Sequence, residues 1–309
     1  MTADDPIAST VDPARAMRAV MRERAAAIAP LNSFVHSVEG TLVPGEAESF
    51  WDCEAAFREL IASAFVTELL NFELAKMLED PLYVPPFYAS DLVAYDSADF
   101  QVRIDMVNAR TAPATKRLPS LPSHWMFALK LAPLTIALYR QPRPFPADDF
   151  RREAVLQKVS SKTYAPGALL RLRAGFDLAE FLPEPGSETM LINFTPKGAP
   201  VDYCWIYDKS SLRPVRLVPA EPSWSRLDYA AQTMAQLGDE DSVPALTRLA
   251  REHPAHFVRW TAVQSVVTLD PDAGMQLLLE ARRDPHAHVR RAAQKTLARF
   301  EQLTAAGNR

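Results

Sequence analysis

Cysteine is nearly absent: Cys53 and Cys204 are the only two in 309 residues. Two thiols so far apart in sequence carry no disulfide framework, and the reading that follows is a pair of buried small hydrophobes in a reducing compartment. Long apolar runs are missing as well. No stretch approaches the roughly 20 residues needed to span a bilayer, and the N-terminal stretch lacks a compact apolar segment followed by a small-residue cleavage site. The expectation is a cytoplasmic protein without membrane contact. Positive charge is not in excess. A formal net charge of -4 argues against nucleic acid as a partner, because such binding rests on phosphate neutralisation. The one basic cluster, Arg282, Arg283, Arg290 and Arg291, reads as a solvated helix face. There is no nucleophile elbow, P-loop, dinucleotide glycine fingerprint, paired-cysteine metal motif or zinc-protease helix.

What is present describes a soluble globular chain, 48% hydrophobic and 23% charged, long enough for two domains with cores of their own. The C-terminal part repeats itself. Asp241 to Leu269 lies over Asp272 to Phe300 without a gap, so that Leu246 falls on Leu277, Ala250 on Ala281, Pro254 on Pro285, Val258 on Val289, Arg259 on Arg290 and Ala262 on Ala293. Leu227 and Ala231 continue the pattern backwards as half a unit. A period of this length is the mark of a helical solenoid, whose helix pairs bury their apolar faces only by stacking. Helices are expected over about 226–237, 242–252, 256–269, 272–283 and 288–304.

Upstream, Asp12 and Pro13 open a helix that Pro30 ends. Residues 31–46 read as an irregular connection, and 48–78 as one long helix with a wide apolar face. From Leu82 to about Ala220 the period falls from 3.6 to 2. In Phe100, Val102, Ile104 and Met106 the apolar residues alternate with Gln101, Arg103 and Asp105, which predicts a half-buried strand with its polar side in water. Eight further short segments of this kind, separated by turns rich in Pro, Asp and Ser, predict an antiparallel sandwich or small barrel.

Two resemblances attach to these segments. Leu237 to Leu246 resembles the inter-repeat turn and first helix of HEAT repeats, in particular those of phycobilin lyases, and Asp284 to Ala293 resembles their intra-repeat turn and second helix. That resemblance implies a protein-binding solenoid, with Arg290 as a structural link between turns. Its Arg290→Ala variant is expected to lose stability more than binding. Pro166 to Gly175 is similar to the second cupin motif, which implies a jelly roll. Where that motif places a metal-binding histidine, this chain has Phe176, Asp177 and Leu178. In the first motif His124 matches the leading ligand, but Met126 stands where its partner would be. The resemblance thus implies the shape of a cupin and no bound metal or cofactor.

The expected fold class is α+β: N-terminal helices over 1–81 packing on an antiparallel cupin-like β domain over 82–220, then an all-α HEAT-like domain over 221–309. Trp125, Phe127, Phe176, Phe194 and Trp205 are the expected lining of a small-molecule pocket or, equally, core. His253, His256, His286 and His288 fall at equivalent turns, where they are either polar turn residues or facing imidazole ligands. Trp260 breaks the repeat and either fills an inter-domain seam or joins His256, Phe257 and Arg259 in an exposed protein-binding ridge. The function that fits is an accessory or adaptor protein with a ligand pocket and a protein- or peptide-binding surface. The competing reading is a cupin-like metal-dependent oxygenase or isomerase using His124, acting on a peptide or small molecule of a biosynthetic pathway.

Overall fold

The computed structural model describes residues 13–88, 91–110, 116–141, 151–198 and 200–307. The chain forms two compact units, Met1–Ala220 and Glu221–Arg309. In the first, five helices precede the strands: α1 (Pro13–Ala27), α2 (Ala29–Thr41), α3 (Ala47–Asp52), α4 (Glu54–Ala62) and α5 (Phe65–Glu79). Pro30 does end the first helix, but it also opens the next. Its missing N–H suits a first turn, and Leu31, Phe34, Val35 and Val38 then bury one helical face where the sequence suggested irregular chain. The long helix expected over 48–78 is three shorter ones, broken at Cys53 and Ser63. Ser63 is extended, with ψ 178°, and its hydroxyl bonds the carbonyl of Leu60 and the N–H of Phe65.

Among the described residues twelve strands follow: β1 (Phe87–Tyr88), β2 (Asp91–Asp96), β3 (Phe100–Asn108), β4 (Arg117–Pro119), β5 (Trp125–Lys130), β6 (Leu134–Arg140), β7 (Gln157–Tyr164), β8 (Leu169–Leu172), β9 (Asp177–Leu182), β10 (Glu188–Pro196), β11 (Tyr203–Asp208) and β12 (Pro214–Pro219). They form a six-stranded sheet in the order β1-β2-β3-β10-β5-β8 and two three-stranded sheets, β12-β11-β4 and β7-β6-β9. Every pairing is antiparallel. From β5 to β10 the chain passes back and forth between two sheets, as in a jelly roll.

The six-stranded sheet is covered on both faces. On one, Val102, Ile104, Met126, Ala128, Ile192 and Phe194 share a core with Phe34, Phe50, Phe57 and Phe65 of the helices. Phe34, Phe57, Phe100 and Phe194 meet there at ring separations of 5.2–6.1 Å. The opposite face brings Val107, Phe127, Leu129, Leu170, Leu172 and Leu191 against Leu134, Ile136 and Phe181 of β6 and β9. A third core joins Ala137, Tyr139 and Leu178 to Trp205 and Tyr207.

A buried cation ties the helices to the sheet, and Arg171 of β8 adds an exposed pair with Glu54 of α4 at 2.9 Å. Arg24 is wholly buried; it pairs with Glu73 of α5 and donates to the carbonyl oxygens of Val93 and Ala94 in β2. Tyr83 completes the group by donating to Glu73 at 2.8 Å.

The second unit holds α6 (Pro222–Leu237), a 3-10 turn (Glu240–Ser242), α7 (Val243–Glu252), α8 (His256–Leu269), α9 (Pro271–Ala281) and α10 (Ala287–Gly307). Leu246, Ala250, Ala262, Val266, Leu277, Ala281, Val289 and Ala293, the repeating apolar positions, form its core with Ala231. Helices α8 and α9 cross closely enough that a Cβ at Gly274 would lie 2.4 Å from Val267 Cα, so only glycine fits.

Candidate functional site

The alternation in β3 turns its polar residues inward. Cross-strand partners share a face of the sheet: Arg103 is opposite Asn193 and Asp105 is opposite Leu191 in β10, and Asn193 is in turn opposite Phe127 in β5. Phe127 and Leu191 belong to the inner core, as does Val107 two residues further along β3. Arg103, Asp105 and Asn193 therefore lie on the inner face of the sandwich, where a core side chain would ordinarily be apolar.

Asp91, at the start of β2, joins them. Its carboxylate takes a bond from Arg103 Nη1 at 3.1 Å. Asp105 lies close to both Asp91 and Asn193, its Oδ1 buried with no hydrogen-bond partner among the described residues, and the Asn193 side-chain oxygen accepts from the Trp125 indole N–H at 3.0 Å. Burial and the neighbouring Asp91 charge push the Asp105 carboxyl up to about 7, with Arg103 pulling the other way. A second negative charge beside Asp91 is costly in a poorly solvated place, which favours the protonated form of Asp105. With Asp105 protonated, the formal charges of the Arg103–Asp91 ion pair offset each other. The side chains of Arg103 and Asp91 keep 24% and 18% of their exposure, so solvent reaches the cluster.

The residues singled out from sequence are dispersed by the fold. Trp125 and Phe127 touch in the inner core, at 4.5 Å between ring centroids. Phe194 faces the helices, Trp205 belongs to the third core, and Phe176 lies under the guanidinium groups of Arg140 and Arg173. Of the five, only Trp125 reaches the polar cluster. Asp177, beside the place of the absent cupin histidine, is held well below the usual carboxylate range by Arg173 and Arg140 despite its burial.

His124 does not face the cluster either. Its Nδ1 accepts from the Ala174 N–H at 3.1 Å, which places the proton of the neutral ring on Nε2. The ring packs against Phe50 and Trp51, and burial lowers its pKa. It borders a cleft of about 210 Å³ that also includes Leu42, Gly45, Phe50, Asp99 and Lys197. Both thiols are buried, and burial pushes each up to about 11.

In the helical unit the turn histidines do meet, but by their ring faces. His256 and His286 stack at 3.6 Å and 7°, with His288 edge-on at 5.2 Å from His286. His253 instead accepts the Ala255 N–H and packs on Trp224. Among the described residues no three His, Cys, Asp or Glu side chains gather in a way that could hold a metal ion. His256, Phe257 and Trp260 line an open cleft of about 460 Å³ with His288, Val289 and Arg291. Arg259 is turned away from it. The residue is 7% exposed, and its guanidinium grips Asp284 at 2.7 and 2.9 Å while donating to the carbonyl oxygens of His253 and Pro254.

Sequence reasoning missed Asp91, Arg103, Asp105 and Asn193. The available signal was Asn193, a lone amide inside the apolar run Met190–Phe194, which a strand covered on both faces must satisfy with other buried polar groups.

Residues 218–298 match the family model of HEAT repeats, and the helical unit is a HEAT-like stack. No curated protein matches the sequence. Among solved structures, the chain is similar to a cupin-2 domain protein from Shewanella frigidimarina at 13% identity, over 39% of this chain and 92% of that one, with a TM-score of 0.24. A cupin domain from Bordetella pertussis is 12% identical over 38% and 99% of the two chains, TM-score 0.23. A polyketide cyclase from Streptomyces resistomycificus is 12% identical over 47% and 84%, TM-score 0.26. Likenesses of this size transfer no chemistry to this chain.

Among the described residues, no helix is long and apolar enough to cross a membrane.

Proposed function

We propose that this is an accessory protein in which the β unit binds a small polar molecule and the HEAT-like unit docks a protein or peptide. The observation that carries the first half is the Asp91–Asp105 pair facing Arg103 and Asn193 on the inner face of the six-stranded sheet. Buried polar groups on a sandwich interior cost stability unless something uses them. Because the charges of Arg103 and Asp91 offset each other while Asp105 is protonated, the cluster favours neither an anion nor a cation. A small uncharged ligand rich in hydroxyl and carbonyl groups fits: it would accept from Asp105 and Arg103 and donate to Asp91.

The competing reading is catalytic, and one observation favours it. A carboxyl that titrates near pH 7 is suited to give and take a proton on a bound carbonyl compound, so an isomerisation run by Asp105 follows without the metal site that His124 was expected to anchor. Calorimetric titration against a panel of polyols, hydroxy acids and hydroxyketones tests both. Binding that Asp105→Leu abolishes, with the fold retained, supports the ligand site. Proton exchange at the carbon next to a ligand carbonyl, followed by NMR in deuterated water and lost in Asp105→Asn, would make it an enzyme. No response to any of the panel in the wild-type chain would remove the ligand half of the proposal. For the docking half, Trp260→Ala is the matching variant, since Trp260 lines the cleft and leaves the turn network of Arg259 untouched.

A further inference from the structure

The two full repeats are related by a constant offset, so each interaction made by the first has a defined counterpart in the second. Two ion pairs run from the first repeat to the second. Arg251 grips Glu280 with Nε and Nη2 at 2.9 and 2.8 Å, and Arg259 grips Asp284 at 2.9 and 2.7 Å. The acceptors are one helical turn apart, at the end of α9 and in the turn after it. Moving each donor forward by one repeat gives Arg282 and Arg290.

Arg290 reproduces half of what Arg259 does. Its Nη1 donates to the carbonyl oxygens of Asp284 and Pro285, both at 2.8 Å, as Arg259 does to His253 and Pro254. Its guanidinium is therefore held in the same way, and the Nε and Nη2 edge that holds Asp284 in the first repeat meets no carboxylate of the described residues in the second. Arg282 is exposed, also without a carboxylate partner among them. Arg282 lines a groove of about 560 Å³ with Leu279, Glu280, Arg283 and Gln294. The counterpart of Gln294 is Val263, which is 3% exposed in the repeat core. Where the first repeat offers its successor valine and two matched arginines, the second offers glutamine and two unmatched ones.

We infer that this face docks a helix of a partner protein that carries two carboxylates four residues apart at its C-terminal end, continuing in trans the arrangement of Glu280 and Asp284. A second copy of this chain stacked head to tail is not the occupant, because the counterparts of Glu280 and Asp284 one repeat earlier are Leu249 and His253. The inference goes beyond the docking cleft at Trp260, since it rests on other residues and names the chemistry of the partner.

The test uses the full chain and a labelled, helix-stapled peptide with the sequence of residues 271–286, made with Glu280 and Asp284 intact or as Gln and Asn. Fluorescence anisotropy should show the acidic peptide binding at least about tenfold tighter than the amide form. The preference should vanish at about 0.5 M salt and in Arg282→Glu, a variant whose melting temperature should be unchanged because Arg282 makes no contact the fold depends on. Trp260→Ala should bind the acidic peptide like wild type, which separates this face from the cleft. Equal affinity for the two peptides, or an acidic preference that survives Arg282→Glu, overturns the inference. So does light scattering that shows a dimer which Arg282→Glu dissolves, since a second copy would then occupy the face.

Discussion

The two units handle buried arginine in different ways. In the β unit Arg24 is a single event, enclosed by α1, β2 and α5, with Glu73 and two carbonyl groups as its partners. In the helical unit Arg259 belongs to a series: it is tied to a turn, it reaches the next repeat, and Arg290 begins the same pattern again. A charge that recurs with the repeat can be read from the chain by translation. One that occurs once is visible only when the elements that enclose it are assembled.

Arg24→Met should give the largest effect of any single change. It leaves Glu73, 4% exposed, without its cation, and losing one member of a buried pair costs about 3–5 kcal/mol. Urea unfolding followed by a probe in the β unit measures it, and adding Glu73→Leu should restore part of the loss. A double variant no better than the single one would mean that the carbonyl bonds matter more than the charge.

Next comes Arg259→Ala, which removes four bonds and strands Asp284, at a cost of about 2–3 kcal/mol confined to the helical unit. Arg290→Ala removes only two bonds and should cost about 1 kcal/mol. Equal losses at the two positions in thermal melts would break the comparison, because they would show that the inter-repeat carboxylate contributes nothing.

One effect depends on pH. Asp105 has an ordinary carboxylate range when unfolded, near 3.8, and is pushed up to about 7 in the fold. Between those values the native state binds the extra proton, so stability falls as pH rises from about 4 to about 7 and stays lower above that. Asp105→Asn should flatten this slope and stabilise the protein at pH 8, as chemical denaturation across the pH range would show. A slope unchanged by the substitution would show that Asp105 is not the group whose titration is raised.

How much was legible follows from the same contrast. The helices α6 to α10 lie where the repeat placed them, within a few residues, because register fixes both their faces and their turns. Most strands from β5 onward were also found, but β7 only at its first two residues, because its mostly exposed side chains show no alternation. Four elements were not: α2, β1, β2 and β4. Residues 29–41 lacked a cap and opened on a proline, which hid a helix with four buried residues, and β2 was passed over because Val93, Ala94 and Tyr95 are consecutively buried and show no alternation. The site was lost with β2, which carries Asp91. It was lost again in β3, where polar residues facing a second layer look the same in sequence as polar residues facing water. The aromatic positions chosen for a pocket were apolar and inward as expected, but three separate cores compete for such residues, and sequence does not say which core each one enters.

Both cysteines lie in the β unit and none lies in the helical one. With the thiols covered and their ionisation suppressed, an alkylating reagent can react only when that unit opens. The native chain thus carries its own clock: the rate of iodoacetamide uptake times the opening of the first unit, at Cys53 between α3 and α4 and at Cys204 in β11.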